Sequence, residues 1–184
     1  MREPSSENSS AEQKIMKILI LGMGNPILSD DGVGLLAAEK LRGRITGADI
    51  ASSTMIGLSL FDLIIGYDVL FIIDALISQN GHVGRLKKIK QRNGYGTLHL
   101  FSSHGLNIFD LMKLGRRCGY AMPHLAEIYG IEIESPAIFS EKLSPALHER
   151  LPVLVEKISA DINACLGKFS NDTKPRRKFS FPDN

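Results

Sequence analysis

Short apolar runs alternate with segments of helical spacing through most of this chain. Lys17-Ile18-Leu19-Ile20-Leu21 is a continuous apolar run closed by Gly22, the pattern of a strand buried on both faces. Val33, Leu36, Ala37, Lys40 and Leu41 follow helical spacing, and Gly43 supplies a stop. Residues 48–52 predict a weak second strand and Leu58 to Ile65 a short helix. Val69-Leu70-Phe71-Ile72-Ile73 is the clearest strand pattern, ending at Asp74. Residues 83–90 alternate less cleanly, with Val83, Leu86 and Ile89 apolar. Gly94 and Gly96 then mark a turn before Thr97 to Phe101, a pairing that predicts an antiparallel hairpin. A helix should follow Ser102 to His104, with Leu106, Phe109 and Met112 on one face and its end near Gly115 or Gly119. Ala126 to Glu134 predicts another strand. Ser144 is a natural N-cap, with Pro145 at the first helical position. Leu147, Leu151, Leu154, Ile158, Ile162 and Cys165 continue as one apolar stripe, and Pro152 should kink that helix.

Strands alternating with helices argue for a three-layer α/β/α sandwich around a mostly parallel sheet, and the hairpin makes the sheet mixed. The 184 residues suffice for one domain with a sizeable core and are too short for two comfortable ones. The expected division is a disordered leader at 1–15, a single α/β domain at 16–167 and a disordered basic tail at 168–184. Met16 directly precedes the first strand and is an alternative functional start. Lys174-Pro175-Arg176-Arg177-Lys178 is basic and proline-broken, more simply a solvated tail than a nucleic-acid contact. A net charge of +2 implies no strong pull toward nucleic acid or membrane, and no apolar run reaches spanning length. The N-terminus lacks the apolar core of a secretory signal. Cys118 and Cys165 make neither a disulfide framework nor a zinc site, which points to a reducing cytoplasm.

In open α/β sheets chemistry sits beyond the carboxyl ends of the strands. Asp31 follows the glycine loop after the first strand, Asp74 closes the most apolar strand, and His104 follows the strand ending at Phe101. Two carboxylates and an imidazole suit a divalent transition metal such as nickel or zinc. Each has a structural alternative. Asp30 and Asp31 both fit helix capping; Asp30 or Ser29 is assigned to that role and Asp31 to function. Asp74 ends a buried strand and needs a partner. His104 also fits a cap. His99 fits a structural strand position, and His82, His124 and His148 have no functional context.

The glycine loop has competing interpretations. A dinucleotide fingerprint G-x-G-x-x-G needs glycine at position 27, where Ile27 stands, and there is no phosphate-loop lysine. Peptidyl-tRNA hydrolases share the Gly-x-Gly-Asn-Pro turn, but their histidine-containing continuation is replaced here by Leu28-Ser29-Asp30-Asp31-Gly32-Val33-Gly34.

The longer string from Gly22 to Gly34 resembles the N-terminal signature of the hydrogenase maturation endopeptidases. Ser53-Thr54-Met55-Ile56-Gly57-Leu58 is similar to that family's Gly-Thr-x-Gly segment, with Ser53 where glycine is usual. Phe71-Ile72-Ile73-Asp74-Ala75 resembles its Asp-Ala strand, and Ser102-Ser103-His104-Gly105-Leu106 its Ser/Thr-x-His segment. Glu134-Ser135-Pro136 and Leu143-Ser144-Pro145 are similar to its C-terminal turn and final helix start. The resemblance covers about residues 16–166 and implies a phosphorylase/hydrolase-like fold. It also implies metal contact by Asp31, Asp74 and His104, with the nickel carried by the substrate and other divalent metals accepted by the isolated protein. The implied reaction removes a C-terminal extension from the large-subunit precursor of a nickel-iron hydrogenase, through metal-activated water or a carboxylate general base; for a chain of this size a monomer is the default expectation. The competing functions are a nucleotide-binding α/β enzyme and a non-catalytic hydrogenase-assembly module.

Overall fold

The apolar runs assemble into one mixed sheet in the computed structural model, which describes residues 16–55, 57–77, 82–90, 108–134 and 138–171. Its strands are β1 (Ile18–Met23), β2 (Asp49–Ser53), β3 (Val69–Ile77), β4 (Leu86–Lys90) and β5 (Leu125–Ile133). They lie in the order β2-β1-β3-β5-β4. All neighbouring pairs are parallel except β4 with β5. The helices are α1 (Val33–Leu41), α2 (Phe61–Ile64), α3 (Ile108–Arg117) and α4 (Pro145–Asn171), with 3-10 turns at Ser29–Gly32 and Gly57–Leu60.

Period-two alternation sorts the core into two layers. Ile18, Ile20, Phe71, Ile73, Tyr129 and Ile131 pack with α1 and α4 on one face. Leu19, Leu21, Leu70, Ile72, Ala126 and Ile128 pack with α2 and α3 on the other. The expected three-layer architecture is therefore present, and β1 is buried along its whole length. Among the described residues, no helix is long and apolar enough to cross a membrane.

Three differences from the sequence pattern have physical causes. β3 runs past Asp74 to Ile77, because β5 continues to pair with it as far as Ile77 opposite Ile133. β1 stops pairing with β3 at Ile73, so Asp74 is the first β3 residue beyond that shared edge. In α1, Leu36 faces solvent while Val33, Ala37, Ala38 and Leu41 are buried, so the packed stripe is narrower than expected. In α3, Met112 is buried and Phe109 packs partly buried against the same core, as expected, with Ile108, Leu111 and Gly115 also buried; Leu106 lies outside the described residues. The final helix begins at Pro145 as its signals predict, with Leu147 N–H donating to Ser144 Oγ at 3.3 Å. It continues through Pro152, whose side chain is exposed, to Asn171, so helix replaces coil at 168–171. The expected strand at 97–101 lies outside the described residues, as do the expected leader and residues 172–184.

Glycines along the first loop set how closely α1 approaches the sheet. A Cβ on Gly34 would sit 2.2 Å from Met23 O and 2.4 Å from Ile73 O. One on Gly22 would meet Ala38 Cβ and Gly34 O, each at 2.5 Å. Gly34→Ala should therefore cost about 3 kcal/mol, since backbone atoms cannot yield as a flexible side chain would. Gly167→Ala, at a helical position with no neighbour within 4 Å, should instead gain roughly 0.5–1 kcal/mol. Urea denaturation of the two variants beside the wild type measures both.

Candidate active site

The chain leaves β1 toward β2 on one side of the sheet and leaves β3 toward β5 on the other. The carboxyl ends of β1 and β3 thus form the topological switch point, where a doubly wound sheet opens a crevice. Both sequence-predicted carboxylates belong to this place. Gly24 has a φ of +143°, a conformation that favours glycine, and its missing Cβ would lie 2.0 Å from Asp31 O. The loop folds back on itself there, and Asn25 N–H donates to Asp31 Oδ2 at 2.9 Å. The Cβ positions of Gly22 and Gly24 are filled by the chain's own atoms, so these glycines serve the close approach of the loop and α1 to the sheet.

Asp30 and Asp31 have separate surroundings. Asp30 is buried, and its Oδ1 accepts the backbone N–H of Ser144 at 2.6 Å. It thus satisfies the start of α4, rather than the helix it immediately precedes in sequence; α1 has no side-chain cap. Ser29, held at φ +46°, adds two links to the same segment. Its N–H donates to Ser140 O at 2.7 Å and its Oγ to Lys142 O at 2.9 Å. Ser140 N–H in turn donates to Ile27 O at 3.0 Å. This clamp ties the loop to the segment before α4 through Ser29 and Asp30, while Asp31 accepts the Asn25 amide within the loop itself. The cleft lined by Ser29, Asp30, Val83, Glu134, Ile138 and Ser144 lies on the clamp side and includes neither Asp31 nor Asp74.

Asp74 lies on the α2/α3 side of β3, continuing the alternation of Leu70 and Ile72. Its Oδ1 accepts the N–H of Ala75 at 2.8 Å. Burial pushes its carboxyl up to about 7, the Ala75 amide opposes that rise, and the negative charge of Asp31 adds to it. Asp31 and Asp74 are thus coupled by charge, and near neutral pH the Asp74 carboxyl exchanges a proton readily. Such a group can accept or deliver a proton in hydrolysis at neutral pH. His104, the third predicted member, lies outside the described residues.

Two buried carboxylates on β5, Glu127 and Glu132, escaped the sequence analysis. Their signal was available, because each interrupts an otherwise apolar strand. Glu127 belongs to a group with Asp161 and Cys165 whose ligand atoms lie within 4.8 Å of one another. Lys88 Nζ is already there, 2.7 Å from Glu127 Oε2 and also paired with Asp161. Burial works against the Lys88 charge, and its bonds to Asp161 and Glu127 outweigh that, leaving its pKa raised. Tyr129 OH donates to Asp161 Oδ2 at 2.7 Å, and burial together with this bond pushes the phenol up. The positive charge this cluster calls for is supplied by lysine, so it fits a structural network better than a metal centre. Glu127 also pairs with Phe71, three residues before Asp74, which sets the cluster back from the strand ends.

The α/β fold is shared with several solved structures. It is similar to the hydrogenase maturating endopeptidase HybD from Escherichia coli, with 23% identity, a TM-score of 0.64, and coverage of 82% of this chain and 94% of that one. It is also similar to the [NiFe] hydrogenase maturation protease HybD from Thermococcus kodakarensis, with 23% identity, a TM-score of 0.58, and 79% and 98% of the two chains covered. The protease HycI from the same organism aligns with 23% identity and a TM-score of 0.59 over 80% of this chain and 93% of that one. No protein-family model and no curated protein sequence matches the chain.

Two measurements separate the roles of these acids. Asp30→Ala should destabilise the fold by about 2 kcal/mol, because it leaves a buried amide at the start of α4 unpaired; Asp31→Ala should cost clearly less in the same denaturation experiment. For Asp74 the sign follows from its raised pKa. Between the unfolded value of 3.8 and the folded value of about 7, the folded chain holds a proton that the unfolded chain has lost. Wild-type stability therefore falls as pH rises through that window. Asp74→Asn, which stays neutral, should gain on the wild type from pH 4 to about 7 and hold a constant difference above it.

Proposed function

We propose that this chain is an endopeptidase of hydrogenase maturation, removing a C-terminal extension from the nickel-loaded large-subunit precursor of a nickel-iron hydrogenase. The observation that carries this reading is the charge-coupled pair Asp31 and Asp74 at the switch point, with the Asp74 carboxyl raised to about 7. The fold shared with maturation proteases supports the same reaction class. His104 completes a donor set of two carboxylates and one imidazole, suited to the nickel that the substrate brings. The three residues then act as a checkpoint. In the free protein a proton offsets part of the repulsion between the two acids; a divalent cation displaces that proton and binds in its place. A precursor without nickel lacks this attraction and binds weakly.

Hydrolysis adds one water across the scissile amide. A carboxylate of the pair takes a proton from the water as its oxygen attacks the carbonyl carbon, and that proton passes to the leaving amine. The exposed apolar side chains of Ile27, Met55, Leu58, Ile138 and Phe139 follow the carboxyl ends of β1, β2 and β5. Apolar surface beside the crevice suits a folded protein substrate better than a small polar metabolite.

The test is to mix the purified protein with nickel-loaded and nickel-free precursor and to follow the precursor's C-terminus by mass spectrometry. The loaded form should be cut and the nickel-free form left intact. Asp31→Asn, Asp74→Asn and His104→Ala should each slow cutting by about 100-fold or more, the scale of losing a group that acts on the reacting atoms, while retaining cooperative unfolding. Normal processing by all three variants would falsify the assignment. Stable binding of the loaded precursor without cutting would instead mark a non-catalytic assembly module.

A further inference from the structure

The first loop and the segment before α4 form a short parallel bridge, with Leu28 opposite Ser140. Ser140 turns its main chain inward: its N–H donates to Ile27 O at 3.0 Å, and its carbonyl accepts Ser29 N–H at 2.7 Å. Successive residues of an extended segment direct their N–H and C=O groups to opposite edges. Those of Phe139 therefore point outward, and they meet no partner among the described residues. The bridge thus presents an open strand edge, with one donor and one acceptor free to pair.

Side chains alternate about the same segment. Phe139 stands on one face, next to Ile27 in the register set by Leu28 and Ser140. Both are exposed, Phe139 at 82% and Ile27 at 51%. Ile138 stands on the opposite face, where it lines the cleft of about 470 Å³ together with Val83, Pro145 and Ala146. A strand added at the open edge would meet apolar surface on both of its faces. One side chain would cover Phe139 and Ile27, and the next would enter the cleft. Sheet edges take extended peptides in this way: main-chain bonds supply affinity, and pockets for alternate side chains supply specificity. The edge is held in place by the clamp through Ser29 and Asp30. Asp31 is four residues beyond Ile27, so their Cα atoms are at most about 14 Å apart, the reach of a few extended residues.

We propose that the outer edge of Ile138–Ser140 binds the polypeptide to be cut as an added strand, paired to the N–H and C=O of Phe139, with neighbouring apolar side chains over Phe139 and in the cleft. The inference rests on the endopeptidase reading above. It adds the form in which the substrate is held: an extended segment with adjacent apolar residues, a few positions from the scissile bond.

Phe139→Pro, Phe139→Leu, Ala146→Trp and Ala160→Trp test it, with processing rates measured over a series of nickel-loaded precursor concentrations and Tm measured on the same samples. Phe139→Pro removes the outward N–H and should raise KM about ten-fold, the scale of one lost hydrogen bond, while changing kcat less. Phe139→Leu keeps the N–H and an apolar side chain and should stay within about three-fold of the wild-type KM. Ala146→Trp fills the cleft from an exposed helical position and should raise KM at least about five-fold at unchanged Tm. Ala160→Trp, exposed on the same helix and outside the cleft lining, should leave KM alone. If Phe139→Pro unfolds, Ala146→Trp against Ala160→Trp carries the test. A wild-type KM in Ala146→Trp or in folded Phe139→Pro overturns the inference, as does an equal loss in Ala160→Trp. A wild-type dimer that Phe139→Pro dissociates, seen by sedimentation, assigns the edge to a second copy and overturns it as well. A wild-type protein that leaves the precursor uncut overturns the endopeptidase reading, and this inference with it.

Discussion

The site depends on how near two backbones can come. The start of α1 rests against the carbonyls of Met23 and Ile73 at distances that leave no room for a Cβ on Gly22 or Gly34. Gly24 turns the chain so that Asp31 O fills the position its own side chain would take. Were any of these residues larger, α1 would stand off from the sheet, and Asp31 would leave the neighbourhood of Asp74. The glycine string therefore acts through exclusion of side chains.

That close approach imposes an electrostatic cost, which is where function enters. A half-buried aspartate beside a second aspartate resists ionisation, and the Asp74 carboxyl shows this in its elevated pKa. The Glu127 cluster meets the same difficulty differently, by importing Lys88 and the Tyr129 hydroxyl from neighbouring positions. One acidic group is closed by the protein's own cation, and the other holds its proton to a higher pH.

Much of this was legible in the sequence. The continuous apolar runs at β1 and β3 identify central parallel strands, because burial on both faces removes the usual alternation. Ser144 and Pro145 locate the last helix to the residue. Asp31 and Asp74 follow from the rule that crevices lie at strand ends. The partner of Asp30 was not legible, since its amide comes from 114 residues away and no local pattern encodes that contact. The continuation of β3 past Asp74 was hidden for a similar reason: it depends on β5 extending alongside, not on the propensities of Leu76 and Ile77. Glu127 and Glu132 were overlooked because a charge that interrupts an apolar strand does not reveal which groups it meets until the fold is known.

The clamp between the first loop and the start of α4 joins the two ends of the folding unit. Loop closure over such a separation comes late and is entropically costly, so it contributes to slow, non-local folding. A nascent chain displays the Asp31 loop early in synthesis, but the amide that seats Asp30 and the carbonyls that hold Ser29 arrive with residues 140–144. The Ser29–Asp30 part of the loop is therefore seated only once the C-terminal segment has been made. For a protein with the proposed activity, that order of events is a form of synthesis-coupled latency: a partly made chain carries the acidic residues without the arrangement that would let them act.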